Sequence, residues 1–424
     1  MKKIAFILFS VVTVLSVSVA YGNIPKSTMG QVGPLSPKPV KASTSDNKAA
    51  PANSKRKLDI RESLGRGEVA YTSREHEANP RAERDKVRDG NGSKSGAGAP
   101  ASAVILEPIL PNAKVKCITP TYDGSGQAVH PSVIDFKIEY SKEKWQGFRY
   151  WMAMTPYPFA IDKYENPSML ASNDGLTWVV PPGFKDPLDI KPGKTNFNSD
   201  PALVYDPGSD SIYVYWRESL KGQYDRIWRA GIGQNGKVQP KVMVVEESWA
   251  DKEGLALSPA IWRKTSDEWY MWTATGGSVI HLYTSKDGVK WSKRERTTLP
   301  WLNWNNGFIP WHLDAKPNYR ENRVEFFIVG WPRGKGISDM VLFYAEAPMN
   351  DPKNLKMPLK DPILGIGPAG NWDDDFIYRP TFVIEREEDS YKYHLWYSAR
   401  STLGHWHMGY TEGRLGTSFS PDND

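Results

Sequence analysis

Asp200-Pro201-Ala202-Leu203-Val204 runs through a polar turn into Tyr213-Val214-Tyr215-Trp216. An apolar run entered through proline, a turn of Asp, Gly and Ser, and a returning aromatic run read as two antiparallel strands. Outward from this stretch the same arrangement recurs four times. His130-Pro131 leads to Tyr150-Trp151-Met152-Ala153, and Ser258-Pro259-Ala260-Ile261-Trp262 leads to Trp269-Tyr270-Met271-Trp272. His312-Leu313-Asp314-Ala315 leads to Phe326-Phe327-Ile328-Val329, and Arg379-Pro380-Thr381-Phe382-Val383 to His394-Leu395-Trp396-Tyr397. The copies start about 54 to 70 residues apart, at or somewhat above the period of propeller blades.

Each hairpin predicts a third strand, clearest at residues 168–172, 279–285 and 407–411. Two of these run into Ser-x-Asp-Gly-x-x-Trp, from Ser172 to Trp178 and from Ser285 to Trp291. Asp-Gly supplies the positive φ of a tight turn, so Asp174 and Asp287 are turn formers. No long 3.6-residue periodicity competes with this pattern. The expected fold is all-β: a five-bladed β-propeller over residues 113–415, with Val115 to Ile118 adding a strand to its last blade.

The flanks differ in kind. Lys2 and Lys3, an apolar run from Ile4 to Val19 and the small residues Ser18-Val19-Ala20 read as a signal peptide over residues 1–20. That run is short for a membrane span. The mature protein is therefore expected to be secreted or periplasmic, with no stable membrane insertion after cleavage. Residues 21–112 are rich in Pro, Ser, Lys and Gly, with Tyr21 and Tyr71 as their only aromatics. Such a segment buries too little to offset its ordering entropy and is expected to be a disordered linker. Residues 416–424 read as a flexible tail.

The formal charge of +5 splits unevenly. Residues 21–112 hold 15 Lys/Arg against 10 Asp/Glu, whereas residues 113–424 hold 37 against 39. The body is thus slightly acidic, which argues against nucleic acid as its partner. The basic linker leaves contact with a cell wall or acidic polymer open. The single Cys117 excludes an intrachain disulfide and Cys-based metal sites.

In a four-stranded blade, the start of the inner strand and the turn between the second and third strands share one face. That rule brings His130, Asp200, Ser258, His312, Asp314 and Arg379 to the mouth of the central channel, with Tyr164, Glu165 and Asn166 from a blade-one loop. Paired carboxylates beside aromatics suit glycoside hydrolysis, and a histidine there can donate a proton or orient a carboxylate. Structural readings stand beside these. An Asp before Pro can simply cap a turn, Arg379 can be an ion-pair partner, and His394 inside a strand reads as core. His405 and His407 are either a ligand pair or strand-edge residues. Trp304, Trp311, Trp372 and Trp406, near mouth loops, are the tryptophans read as sugar-stacking. Asp373-Asp374-Asp375 cannot all face one ion in extended chain. No metal ligands are assigned, and calcium in the central channel is the only ion kept in view.

His130-Pro131-Ser132-Val133, Tyr164-Glu165-Asn166-Pro167-Ser168, Ser199-Asp200-Pro201, Trp311-His312-Leu313-Asp314 and Tyr378-Arg379-Pro380-Thr381-Phe382 resemble the five-bladed propeller glycoside hydrolases of family 43. They resemble more closely still the family-43-like propellers of bacteria and phages. The resemblance covers about residues 115 to 415 and implies an oligo- or polysaccharide partner. It implies an Asp on blade one, an Asp on blade two and a Glu on blade three. Asp200 matches, while His130 and Ser258 occupy the other two positions. The acid and base roles are therefore read at Asp200 and Asp314, with Glu165 and His312 in support, and the opposed blades of the two aspartates predict inversion. Substrate binding is read at His130, Tyr164, Asn166, Trp311, Arg379 and Trp406. The alternative is a non-catalytic glycan-binding or adhesion propeller.

Overall fold

The computed structural model describes residues 110–415, apart from 191–192, 194–195, 234–235, 252–254, 276–278, 299–307 and 360. The expected signal peptide, nearly all of the linker, the 416–424 tail and Trp304 lie outside the described residues. No helix among the described residues is long and apolar enough to cross a membrane.

The strands form five sheets, one for each sequence copy. Blade one holds β1 (Ala128–Asp135), β2 (Tyr150–Pro156) and β3 (Ser168–Ser172), with the short helix α1 (Phe136–Tyr140) after β1. Blade two holds β4 (Asn196–Asp206), β5 (Ser211–Leu220), β6 (Tyr224–Ile232) and β7 (Val242–Ser248). Blade three holds β8 (Leu257–Arg263), β9 (Trp269–Ala274), β10 (Ile280–Ser285) and β11 (Glu295–Arg296). Blade four holds β12 (Phe308–Asn318), β13 (Arg323–Pro332) and β14 (Val341–Pro348). Blade five holds β15 (Phe376–Arg386), β16 (Tyr391–Arg400) and β17 (Trp406–Arg414).

Strands within a blade follow chain order and pair antiparallel. The first strands β1, β4, β8, β12 and β15 neighbour one another in that order, and β15 returns to β1. The expected five-bladed propeller is the observed fold. Single bridges extend the three-stranded blades: Ala171 to Val179 in blade one, and Glu346 to Lys356 and Leu342 to Leu364 in blade four. In blade five Lys116 bridges Gly409, and Cys117 N donates to Met408 O at 2.8 Å. Of the segment expected to finish the last blade, Lys116 and Cys117 pair with β17, whereas Ile118 bridges Thr177 beyond the end of β3.

The two-residue period of each strand explains why the blades stack. On β13, Val324, Phe326 and Ile328 join the core shared with blade three, while Phe327 and Val329 join the core shared with blade five. On β2, Trp151 and Ala153 face blade two, and Tyr150, Met152 and Met154 face blade five. Both faces of a middle strand are buried, so its apolar residues run continuously. Each fully buried side chain of this size contributes about 1.5–3 kcal/mol. The Asp-Gly turns behave as read: Asp174 Oδ1 accepts from Leu176 N and Thr177 N, and Asp287 Oδ1 accepts from Val289 N and Lys290 N. Gly175 and Gly288 take φ of 73° and 67°, which admits a glycine without strain.

Candidate functional site

Every inner strand carries a β-bulge near its start, at Val129/Ser132, Ser199/Ala202, Leu257/Ala260, Pro310/His312 and Ile377/Arg379. A bulge re-aims the side chain it carries. In the first three blades the bulged residue precedes proline and has positive φ: His130 at 58°, Asp200 at 53° and Ser258 at 52°. A non-glycine residue pays about 1–3 kcal/mol for that conformation, and a following proline disfavours it further. Three such residues at one mouth mark a place where geometry outranks local stability.

Asp200 is the hub. It is 1% exposed, and its Oδ1 lies 3.1 Å from His312 Nδ1, 3.2 Å from Arg379 Nη1, 3.5 Å from Ser258 Oγ and 3.7 Å from His130 Nε2. Its Oδ2 accepts from Ser199 Oγ at 2.9 Å and lies 3.7 Å from Arg217 Nη1. Arg217 is itself held by Asp225 at 3.0 Å, and Arg379 also donates to Pro201 O at 3.0 Å. His130 Nδ1 pairs with Thr155 Oγ1 at 2.8 Å and lies 3.8 Å from Glu165 Oε1. The two imidazole rings are 5.1 Å apart, and the Tyr378 ring packs against both.

Burial pushes both histidines below their usual value, so both rings are neutral near pH 7. Burial raises the Glu165 carboxyl well above the usual range, reinforced by the negative charges of Asp162 and Asp200. Burial acts against ionised Asp200 too, but the imidazoles, which gain charge only in acid, the His312 hydrogen bond and Arg379 outweigh it and hold that carboxyl well below the usual range. The two carboxyls of the mouth are thus shifted in opposite directions.

One ligand atom from each of His130, Asp200 and His312 falls within 4.8 Å of the other two. The Nε2 atoms of both histidines are buried and have no hydrogen-bond partner. Orphaned buried nitrogens are rare in a finished core. Two of them beside an ionised carboxylate fit a divalent cation taking nitrogen and oxygen donors. Sequence reasoning assigned no metal set, because the two histidines lie on blades one and four, which are not ring neighbours.

Other expected site residues go elsewhere. Asp314 does not join the hub: its Oδ2 accepts from Thr381 Oγ1 at 2.9 Å and Phe382 N at 3.2 Å, tying β12 to β15, and its Oδ1 accepts from its neighbour Ala315 N. Trp406 is 4% exposed and packed among Tyr157, Phe376 and Tyr378, so it offers no open ring face to a sugar. Trp372 packs on Tyr397 and donates to Ala113 O. Trp311 is half-buried, edge-on to His312 and against Trp331. Asn166 donates to Tyr122 Oη at 2.9 Å, and the Tyr164 carbonyl accepts from the same hydroxyl at 2.6 Å, so both brace the blade-one loop. Asp373 pairs with Tyr397, Asp374 with Thr402 and Asp375 with Arg400, three directions that leave no shared ion. His405 packs on Phe159 and His407 faces Lys116. His394, read as core, is buried in a polar network with Tyr410 and Glu385.

Fold and mouth together define a five-bladed propeller with a buried His/Asp centre at the start of its inner strands. The chain is similar to the A type blood N-acetyl-α-D-galactosamine deacetylase of Flavonifractor plautii, 26% identical over 325 residues, which are 64% of this chain and 40% of that protein. The chain thus spans well under half the length of that relative. The crystal structure of the N-acetylgalactosamine deacetylase from F. plautii with blood group B trisaccharide matches at a TM-score of 0.64 and 22% identity, over 72% of this chain and 96% of that one. A solved BT0996 RGII complex matches at a TM-score of 0.50 and 14% identity, over 74% of this chain and 96% of that one. These likenesses bear on the fold. No family model matches the chain.

Proposed function

We propose that the propeller mouth is a hydrolytic centre acting on carbohydrate, and that the bond it cleaves is the amide of an N-acetylated sugar. The observation that carries this is the meeting of His130, Asp200 and His312, one ligand atom of each within 4.8 Å of the others, with the Nε2 atom of both histidines unpartnered. The likeness to a relative named as a deacetylase supports it. Two imidazoles and one carboxylate suit a zinc- or manganese-like ion, whereas calcium takes six to eight oxygens, so calcium is not carried forward. Such a cation would be held by those three side chains and would supply Lewis acidity to the acetamide carbonyl.

The chain's own groups do the rest. Arg379 and Arg217 keep Asp200 ionised and in place. Thr155 fixes one face of the His130 ring. Glu165, 3.8 Å from His130 Nδ1 and with its carboxyl raised by burial, is the group that would give a proton to the departing amine. Export directed by residues 1–20 remains part of the proposal and would place this chemistry outside the cytoplasm.

A second reading keeps glycosidic cleavage, with Glu165 as acid and Asp200 as base. It is favoured by the opposite directions in which their surroundings shift the two carboxyls and makes Glu165, in place of Asp314, the partner of Asp200. The test supplies N-acetylhexosamine-containing oligosaccharides and assays acetate and new reducing ends in parallel. Acetate alone, lost on chelation and regained with zinc or manganese, is expected. Reducing ends without acetate would replace the proposal by the second reading. Binding with neither product would return the adhesion alternative.

A further inference from the structure

Ser258 is the blade-three counterpart of His130 and Asp200: fully buried, before a proline, at positive φ. Its Oγ lies 2.9 Å from His312 Nδ1 and 3.5 Å from Asp200 Oδ1, and those two atoms are themselves 3.1 Å apart. A count of hydrogens decides how three such atoms can meet. The Asp200 carboxylate, with Arg379 Nη1 at 3.2 Å and Arg217 Nη1 at 3.7 Å, has none to give. With the histidine hydrogen on Nε2, the Nδ1 lone pair would face a carboxylate oxygen at 3.1 Å, and the Nε2–H would be buried with no acceptor. With the hydrogen on Nδ1, it is shared between Ser258 Oγ and Asp200 Oδ1. The serine hydroxyl then donates onward to Asp200, and Nε2 is left with a free lone pair.

We propose that Ser258 is a positioning residue which, with Asp200, fixes His312 as the Nδ1–H tautomer and leaves its buried Nε2 with a lone pair free for a ligand. The same position in the family-43 pattern is expected to hold an acid; here a neutral hydroxyl can both accept from the ring and donate to the carboxylate. The inference rests on the proposed hydrolytic site for its consequence, but the tautomer itself is read without substrate or metal.

The test uses the full chain with 15N-labelled histidine and long-range 1H–15N spectra at pH 8, the His312 ring being assigned by its loss in His312→Gln. The wild type is expected to show the Nδ1–H pattern. Ser258→Gly and Ser258→Ala are expected to show a mixture with the Nε2–H form and to bind zinc about 10–100-fold more weakly by calorimetry, with far-ultraviolet dichroism unchanged. Glycine relieves the left-handed backbone and alanine does not, so equal shifts in both assign the effect to the hydroxyl. A wild-type Nε2–H pattern, or a tautomer unmoved in both variants, overturns the proposal. An Nδ1–H ring that mixes in both variants of a protein that binds no zinc upholds it and removes the cation from the proposed function instead.

Discussion

Two groups of buried polar residues share β1 and β12, one near the start of these strands and one near their end. They are finished to different degrees. At the far end, Asp135 accepts from Lys137 N and Ile138 N and from Arg149 Nε and Nη2 at 3.0 and 2.7 Å. Lys316 reaches Glu139 at 2.7 Å and Val133 O at 3.3 Å, and Glu139 accepts in turn from Asp135 N. At the mouth, His130 Nε2, His312 Nε2, Arg217 Nε and Arg379 Nε are buried without partners. The far cluster closes on itself, as structural polar groups do. The near one leaves these four nitrogens without a partner within the chain.

On that contrast, the two ends fail differently. The largest effect belongs to Asp200→Asn, which should lower product release by about 100-fold or more. It should also cost about 3–5 kcal/mol in denaturant unfolding, because Arg379 loses its buried counter-charge. Asp314→Asn, assayed beside it, should keep turnover within a few-fold; equal losses from both would erase the distinction between the two aspartates. Next, Lys316→Met should cost about 1–3 kcal/mol of stability through the stranded, part-buried Glu139, yet leave product release unchanged well below the unfolding temperature. A loss of turnover at full foldedness would join the far end to the site.

The smallest effect is a slope. The Glu165 carboxyl is raised in the folded state by burial, so the native protein holds that proton more tightly than the unfolded chain does. Its contribution to stability is full below the unfolded value and is lost as pH rises towards the folded one. Glu165→Gln should therefore flatten the fall of unfolding free energy with pH above about 4.5, by up to about 1.4 kcal/mol per pH unit. Parallel curves for the two proteins would show that Glu165 is not protonated in the fold.

The five copies were legible because strand period, Pro entry and Asp-Gly turns are local signals, and each maps onto one sheet. The site was legible in part for the same reason. His130, Asp200, Ser258, His312 and Arg379 hold equivalent places in their copies, and the ring gathers equivalent places at one mouth. What local signals do not carry is the bulge. Asp314, two residues beyond His312, has its carboxylate drawn sideways to Thr381 and Phe382 on the next blade. Nor do they carry the covering of Trp406 by Tyr157, Phe376 and Tyr378, which come from two blades. The pairing of His130 with His312 depends on ring closure, so each histidine was readable and their partnership was not.

The bridge between Lys116 and Gly409 has a consequence in time. A polypeptide emerging from the ribosome presents residues 116–117 before any blade exists; Ile118 can pair with Thr177 as blade one forms, but Lys116 and Cys117 must wait until β17 is made. Blades one to four can stack on one another as they appear, each on its predecessor. Blade five needs both the newest and the oldest parts of the domain. The mouth inherits this order: His130, Asp200, Ser258 and His312 wait on strands already formed, and Arg379 arrives with the blade that locks them together.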